Sequence, residues 1–313
     1  MSLPSDEPQS PLPIGDLPKT LHGLPGITDA GVFLQEDLLG TCGTDVAVGT
    51  AAELFRTFNQ PPFTMFSFVY RGQSSRFCLM PTLERLLWGT RPVKAGEQVE
   101  RDLVQQFRRH LHHYIEGPPA QENVLEILAL MRHHGVPSRL LDCSRSPYVA
   151  AFFAAVEDTK EDFAVWAINA DTLRTESQAV FKRFNPLARE HDILAEYDDV
   201  FLRDIMNCGT PPVVLPVEPL RSNQRTLAQQ GLFLCANTHV FSFEDCLKYV
   251  LRHGRESGRL RGTALFKVRV PGGQRAAVLR ELARMNISYA TLFPGLDGFA
   301  RSLDTNLRLQ LRP

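Results

Sequence analysis

The feature that most constrains the fold is a polar segment that runs directly into an apolar helix, over residues 133–156. Ser146 followed by Pro147 predicts the helix start, because serine can cap free backbone N–H groups and proline lacks one in the first turn. Apolar residues then recur at i, i+3, i+4 and i+7 from Val149 to Val156, so one helix face should be buried. Since a helix N-terminus favours anions, the polar residues before it form either an anion site or an ordinary loop-to-helix connection.

Charge and cysteine content limit the classes of protein to which this chain can belong. The 313 residues carry 34 Lys and Arg against 35 Asp and Glu, and this net charge of -1 indicates no global attraction to nucleic acid or membranes. The six cysteines contain no CxxC pair, which favours reduced thiols over a disulfide framework or a zinc site. Because no signal peptide or apolar run of spanning length occurs, we expect a cytoplasmic protein without a membrane partner.

Histidines cluster near the end of a predicted helix, at His110, His112 and His113. Side chains at i, i+2 and i+3 do not converge well on one point, and no carboxylate is paired with them. We therefore expect no metal site.

Strands and helices mix without strict βαβ alternation, which predicts a single α+β domain. Residues 1–26 are rich in proline and are expected to be a flexible arm. No firm interpretation is made of residues 27–49. The α+β domain is expected over residues 50–303, followed by a C-terminal tail at 304–313.

Several elements within this domain have distinct signatures. Alternation predicts a strand at Phe66–Arg71, and a nearly continuous apolar run predicts an interior strand at Phe163–Ile168. Prolines in 211–217 favour an edge strand. Helices are expected at Glu97–Ile115, Glu122–His133, 186–206 and Gln274–Met285, before a last short helix.

Arg71 is the first candidate site residue, because it ends a predicted strand beside Gly72. A glycine there permits a tight turn or the close approach of a ligand. The structural alternatives for Arg71 are a salt bridge to a helix and a solvated strand end.

Four ordered motifs in the chain closely resemble the FRG domain family over roughly residues 50–300. They are Phe68–Ser75, Met80–Arg85, the stretch His133–Asp142 with Ser146-Pro147 and Ala151–Ala154, and Asn223–Arg225 with Gln230–Phe233. The family usually has an aromatic residue after the aspartate of the third motif, where this chain has Cys143.

The motif order is also similar to that of ADP-ribosyltransferases of the arginine-serine-glutamate type. This resemblance implies a single ADP-ribosyltransferase-like α+β domain, with mixed or antiparallel sheets and flanking helices, that uses NAD as a substrate. Arg71 would hold the diphosphate or ribose, Ser144 or Ser146 would support the nicotinamide pocket, and Gln230 would stand at the catalytic glutamate position. The remaining residues that the resemblance assigns to NAD binding are Tyr70, Gly72, Gln73 and Arg139.

The expected late glutamate is an amide here, Gln229 or Gln230. An amide donates and accepts hydrogen bonds but cannot act as a base, so transfer to protein arginine is not favoured. Two alternatives remain: an acceptor that needs little activation, such as a nucleobase or an already nucleophilic group, or a carboxylate that comes from elsewhere in the chain. For that carboxylate, Asp142 is preferred to Glu84. Their structural alternatives are acceptance of backbone N–H groups for Asp142 and a salt bridge to a neighbouring arginine for Glu84.

These observations lead to three functional hypotheses. The first is an ADP-ribosyltransferase-like enzyme that modifies RNA, DNA or protein, as a toxin or defence effector held in check by an inhibitory partner protein. The second is a non-catalytic module that binds a nucleotide or a partner. The third is an NAD glycohydrolase, which differs from the first in its acceptor.

Overall fold

One mixed sheet of seven strands forms the centre of the described part of the chain. The computed structural model describes residues 38–65, 67–87, 95–119, 123–157, 159–184 and 211–311. The strands are β1 Gly43–Ala47, β2 Phe68–Ser74, β3 Leu140–Ser144, β4 Phe163–Asn169, β5 Val214–Val217, β6 Gly231–Ala236 and β7 Leu265–Val270. Their order across the sheet is β1-β7-β4-β2-β3-β6-β5, and β1 and β7 are parallel whereas the other pairs are antiparallel. The mixed sheet and its helices confirm the α+β class.

Helices connect and cover the strands. In chain order they are α1 Leu38–Cys42, α2 Ala51–Phe58, α3 Thr82–Leu87, α4 Ala95–Leu111, α5 Val124–His133, α6 Pro147–Ala155, α7 Ala170–Phe184, α8 Gln224–Ala228, α9 Phe243–Glu256, α10 Arg275–Arg284, α11 Tyr289–Leu292 and α12 Leu296–Leu311. None of the helices in the described ranges is both long enough and apolar enough to cross a bilayer.

The positions of two strands follow from their composition. The apolar run of β4 lies between β2 and β7 and is buried, which confirms the predicted interior strand. Strand β5 lies at one edge of the sheet, where Pro216 does not need to serve a second neighbouring strand, and this confirms the predicted edge position.

Helix α6 begins where the sequence predicts. The Ser146 hydroxyl accepts a hydrogen bond from the Val149 N–H group at 3.4 Å, and Pro147 occupies the first turn. The helix packs closely on β2 because residue 72 is a glycine: a Cβ atom there would lie 1.7 Å from the Ala150 carbonyl oxygen. Gly72 thus serves helix packing in this structure.

Two apolar clusters fill the space around the sheet. One contains buried residues of α2, α6 and α10 together with Phe68 and Tyr70 of β2. The other contains residues of α5, α7 and α9 with most of β3, β5 and β6. Both faces of the sheet are therefore covered, as a sheet with apolar residues on both sides requires.

The structure changes the expected limits of several elements. Strand β1 lies before residue 50, the expected start of the domain. Its short polar sequence shows no alternation of apolar and polar residues, so it gave no strand signal. It lies at an edge of the sheet, where a strand pairs on one side only. Helix α12 continues to Leu311, through most of the segment predicted to be a tail, and its 16 residues make it longer than the short helix expected. The short helix α8 was not predicted. The arm at 1–26 and the helix at 186–206 lie outside the described residues.

Candidate functional site: an arginine-rich pocket at the end of the sheet

A pocket of about 270 Å³ opens beside β3 and β6. Helices α5 and α8 supply much of its wall, and the segments that include Gly117 and Pro219 contribute to its rim. Its polar lining residues are Glu126, Arg132, His133, Asp142, Arg221, Ser222, Asn223, Arg225, Thr226 and Gln229. Residues from the third and fourth sequence motifs therefore meet at one place.

Asp142 on β3 lies within a cluster of guanidinium groups. Arg132 on α5 donates from Nε and Nη2 to Asp142 Oδ2, at 2.8 and 2.6 Å. Arg71 on β2 donates from Nη1 to the Asp142 backbone oxygen at 2.8 Å and lies 4.0 Å from Oδ2. The Asp142 side chain is still 42% exposed, and its Oδ1 atom makes no hydrogen bond with the described residues.

Arg225 on α8 adds a third cation. Its guanidinium stacks over the Phe293 ring, 4.4 Å from the ring centroid, which fixes the side chain in position. Burial lowers the pKa of Arg225, an effect that Asp142 opposes and that Arg132 strengthens. The guanidinium group remains protonated at neutral pH because its ordinary pKa is so high.

The other basic groups respond to the same environment. Burial lowers the pKa of Arg71, Asp142 opposes this effect, and Arg132 adds to it. Burial, followed by the charges of His134 and Arg225, lowers the pKa of His133, which favours the neutral form of this pocket residue. The arginines thus carry the positive charge of the site.

Positive charge exceeds negative charge around the pocket. Arg132, Arg221 and Arg225 line it and Arg71 lies behind Asp142, whereas the carboxylates of the lining are those of Asp142 and Glu126. Among the residues that the structure describes here, four cations against two anions leave an excess of two positive charges. This excess, in a partly enclosed site, favours an anionic ligand.

Glu126 is a site residue that sequence reasoning missed. It lies in the first turn of α5, is only 7% exposed and lines the pocket. Its carboxylate makes no hydrogen bond or ion pair within the described ranges. A signal was present in the sequence, because a single acid occurs among the apolar residues Leu125, Ile127 and Leu128, which are buried.

Some predicted residues lie around the pocket and support it. Gln73 accepts a hydrogen bond from Arg71 Nε at 3.0 Å and so holds the guanidinium in place. The Ser144 hydroxyl donates to the Gln229 carbonyl oxygen at 2.7 Å and accepts from the Ser146 N–H group at 3.0 Å. Both serines are thus engaged in the turn that leads into α6.

The two late glutamines occupy different environments. Gln229 lines the pocket and donates from its side chain to the Leu292 carbonyl oxygen at 2.9 Å. Gln230 is exposed and has a φ of 47°, a left-handed backbone conformation unusual for a residue with a side chain. Its carbonyl oxygen accepts a hydrogen bond from the Arg145 N–H group, so its backbone fixes the turn before β6.

Other predicted residues are not part of the pocket lining. Tyr70 belongs to the apolar cluster under α6, and its hydroxyl donates to the Phe63 carbonyl oxygen at 2.6 Å. Alternation along β2 accounts for this, because Tyr70 and Gly72 project to the face opposite Arg71. Arg139 is buried in an ion pair with Glu100.

Glu84, the alternative carboxylate, accepts a hydrogen bond from the Phe243 N–H group at 3.0 Å at the start of α9. It is therefore a cap for that helix and is separate from the pocket lining. The described residues contain no group of three or more His, Cys, Asp or Glu side chains placed to hold a metal ion.

Comparison with known families supports the resemblance over part of the chain. The family model of the FRG domain matches residues 66–163, which include β2, α3 to α6 and β3. Asp142, Arg132 and Glu126 lie inside the matched range, whereas Arg225 and Gln229 lie beyond it. Searches of curated proteins and of solved structures found no match.

Proposed function

We propose that this protein is an ADP-ribosyltransferase-like enzyme that binds NAD in the arginine-rich pocket. The single observation that carries the proposal is the meeting of Arg71, Arg132 and Arg225 around one carboxylate, Asp142, beside an open cavity. An ADP-ribosyltransferase-like arrangement of the sheet is part of the same proposal, and it rests on the order of the motifs along the chain.

The diphosphate of NAD is the part of the substrate that the arginines would bind. A guanidinium group presents a planar fork of N–H donors that matches phosphate oxygens, and such charged hydrogen bonds are strong. Arg132 and Arg225 project from different helices, α5 and α8. A diphosphate between them would be held from two sides, with the neutral His133 as a further hydrogen-bonding group.

Cleavage of the bond between ribose C1′ and nicotinamide places positive charge on the ribose as the bond breaks. The bonding electrons pass to the pyridinium nitrogen, so nicotinamide leaves as a neutral molecule. A carboxylate near the sugar stabilises the developing charge, and Asp142 Oδ1 is available for a ribose hydroxyl. The bound diphosphate keeps the sugar oriented during this step.

Glu126 is suited to the role of general base. The incoming nucleophile must lose a proton as it bonds to C1′, and a carboxylate that makes no hydrogen bond or ion pair with the described residues can receive it. Glu126 would thus do the work that neither Gln229 nor Gln230 can do. The acceptor is a group of RNA, DNA or protein, and water in its place gives the glycohydrolase reaction.

A second candidate function is nucleotide binding without catalysis. Two features of the late glutamines favour it. The Gln229 side-chain amide donates a hydrogen bond to the Leu292 carbonyl oxygen, and an amide stands where the catalytic glutamate is expected. A binding module needs the arginines but does not need Glu126 as a base. This difference separates the two functions experimentally.

Calorimetric titration of the full chain with NAD, ADP-ribose and inorganic pyrophosphate tests the binding step. We expect Arg225→Ala to weaken binding of all three ligands at least tenfold, since it removes charged hydrogen bonds. Arg284→Ala is the matched control, because Arg284 is exposed on α10 and pairs with Glu281. Equal binding by both variants would contradict the assignment of the pocket.

Nicotinamide release from NAD, with RNA, DNA, protein or water as acceptor, tests the chemical step. The enzyme proposal requires release by the wild type and its loss in Glu126→Gln while NAD binding is retained. Binding without release under all four conditions supports the binding module instead. Release that Glu126→Gln leaves unchanged would remove Glu126 from the mechanism.

A further inference from the structure

Helix α12 has apolar residues on two sides, and the described part of the chain covers one of them. Gly298, Ser302 and Leu309 face the body of the protein. The opposite side carries a stripe of five large apolar side chains, each at least 53% exposed. This outer stripe consists of Leu296, Phe299, Leu303, Leu307 and Leu311.

Contacts with α10 and α11 fix how the helix is turned. Arg280 on α10 donates to the Leu309 carbonyl oxygen at 3.2 Å, and Arg301 lies 5.9 Å from the centroid of the Tyr289 ring. A Cβ atom at Gly298 would lie 1.8 Å from the Phe293 carbonyl oxygen, so this end of the helix is held closely. The outer stripe therefore projects away from the protein's own core.

Charged residues form a regular row along one flank of the outer stripe. Asp297, Arg301, Asp304 and Arg308 occur at i, i+4, i+7 and i+11, so they share one side of the helix, and their signs alternate. Asp304 and Arg308 already pair within the helix at 2.8 Å, yet both remain about half exposed. Charged side chains of both signs thus lie at the surface beside the apolar stripe.

The pattern is complementary to itself in the antiparallel orientation. When two copies of α12 cross at Leu303, the same flank of each helix meets, so Asp297 lies opposite Arg308 of the second copy and Arg301 lies opposite Asp304. In a parallel pair, the charged flank of each helix would instead face the opposite flank of the second copy, which carries the uncharged Asn306. Only the antiparallel arrangement therefore uses the alternating charges.

We propose that the outer stripe of α12 is an interface with a second copy of this chain, in an antiparallel helix pair. The 16 residues of α12 span about 24 Å. This length allows the five apolar side chains to interdigitate with the same five of the partner, as in a short coiled coil. Water is excluded from a stripe that is otherwise open to solvent.

Sedimentation of the full chain over increasing concentration tests the proposal. We expect the mass to rise from 35.2 kDa to twice that value. The double variant Leu303→Lys/Leu307→Lys should remain at the monomer mass, whereas Leu86→Lys, a control at an exposed leucine of α3, should behave as the wild type. Circular dichroism confirms that each variant is folded. A wild-type mass of 35.2 kDa at every concentration would overturn the proposal.

Charge exchange tests the antiparallel orientation separately. Asp304→Arg places two arginines opposite each other and should raise the dimer dissociation constant at least fivefold. The double variant Arg301→Asp/Asp304→Arg restores opposite charges across the pair and should recover the wild-type constant. Because neither variant alters the apolar stripe, an unchanged constant for Asp304→Arg would exclude the antiparallel pair.

Discussion

Two arginine–carboxylate clusters lie three residues apart along the chain, at Arg139 and Asp142, and they differ in charge balance. Arg139 donates from Nε to Glu100 Oε2 at 2.6 Å, and His239 Nε2 lies 3.1 Å from the same oxygen. The Glu100 and Arg139 side chains are 4% and 6% exposed, whereas the Asp142 side chain is 42% exposed. The Arg139 cluster is closed to solvent and its opposite charges balance. The Asp142 cluster is open to solvent and, among the described residues, contains more cations than anions.

This difference separates a structural role from a binding role for the same residue types. Burial would raise the pKa of Glu100, but Arg139 and His239 together hold it well below its ordinary value. The ion pair fixes α4 against β3, and Arg139 also donates to the Ala236 carbonyl oxygen of β6 at 3.3 Å. Around Asp142 the positive charge is only partly compensated, so an anion gains from entering the site.

The largest expected effect is on stability, at the closed cluster. Glu100→Gln leaves Arg139 as a buried charge without a charged partner, which should lower the free energy of unfolding by about 3–5 kcal/mol. Urea-induced unfolding followed by circular dichroism measures this loss. A loss below about 1 kcal/mol would mean that the closed cluster does not hold α4 in place.

Glu84 extends the comparison to a buried carboxylate that has no cationic partner in the part of the chain that the structure describes. Its Oε1 atom is buried and has no hydrogen-bond partner within the described ranges, and burial raises the pKa of Glu84 to about 8. The folded state therefore retains a proton that the unfolded state loses above pH 4.5. We expect stability to fall by a few kcal/mol as pH rises from about 4.5 to 8, with no further change from this group above pH 8.

The matched variant for this effect is Glu84→Gln, which keeps an oxygen to accept from the Phe243 N–H group. Its free energy of unfolding should decline less steeply over the same pH range. Urea unfolding at a series of pH values gives both slopes. Parallel slopes for the two proteins would show that Glu84 is ionised in the folded state.

The next effect in size is the different response of the two clusters to salt concentration. Pyrophosphate binding at the open cluster depends on charges that water reaches, so raising the ionic strength from 0.05 to about 0.5 M should weaken it roughly tenfold. The stability difference between the wild type and Glu100→Gln should hardly change, because salt screens the buried pair of Glu100 and Arg139 less than it screens exposed charges. Calorimetry and unfolding under both salt conditions provide the measurement, and salt-independent pyrophosphate binding would count against an electrostatic site.

The smallest expected effect is that of Asp142→Asn on stability. Exposed ion pairs contribute little to the stability of a folded protein, so the free energy of unfolding should fall by at most about 1 kcal/mol. Removing this anion from the cluster should at the same time strengthen pyrophosphate binding. A large loss of stability, or weaker pyrophosphate binding, would show that the Asp142 cluster is organised like the Glu100 cluster.

Part of the site could be recognised from the chain alone. Arg71 was singled out as the end of a predicted strand, and Asp142 as part of the polar segment before α6. Both lie within strands, since β2 continues to Ser74 and β3 covers Leu140–Ser144, and they approach each other at 4.0 Å. Arg132 and Glu126 were missed because they belong to a helix whose pattern indicated only a buried face. Arg225 was part of a quoted motif, yet no local signal showed that α8 would bring it to Asp142.

Local sequence determined the elements whose causes are local. The cap at Ser146, the apolar run of β4 and the prolines of β5 act within a few residues, and each produced the predicted helix, interior strand or edge strand. Such patterns reflect hydrogen bonding and burial along one segment. The sequence also indicated the FRG resemblance, which the family match supports for residues 66–163.

The pocket depends on pairing between segments that are distant in the chain. The register of β3 and β6 sets Asp142 opposite Phe233 and Ser144 opposite Gly231, which brings α8 and Arg225 beside α5. The apolar pattern of one strand restricts its register but does not identify which strand will pair with it, and that choice depends on the packing of the sheet between its helices. For the same reason Arg139, just before β3, became part of a buried ion pair, whereas Asp142 within β3 remained open to a ligand.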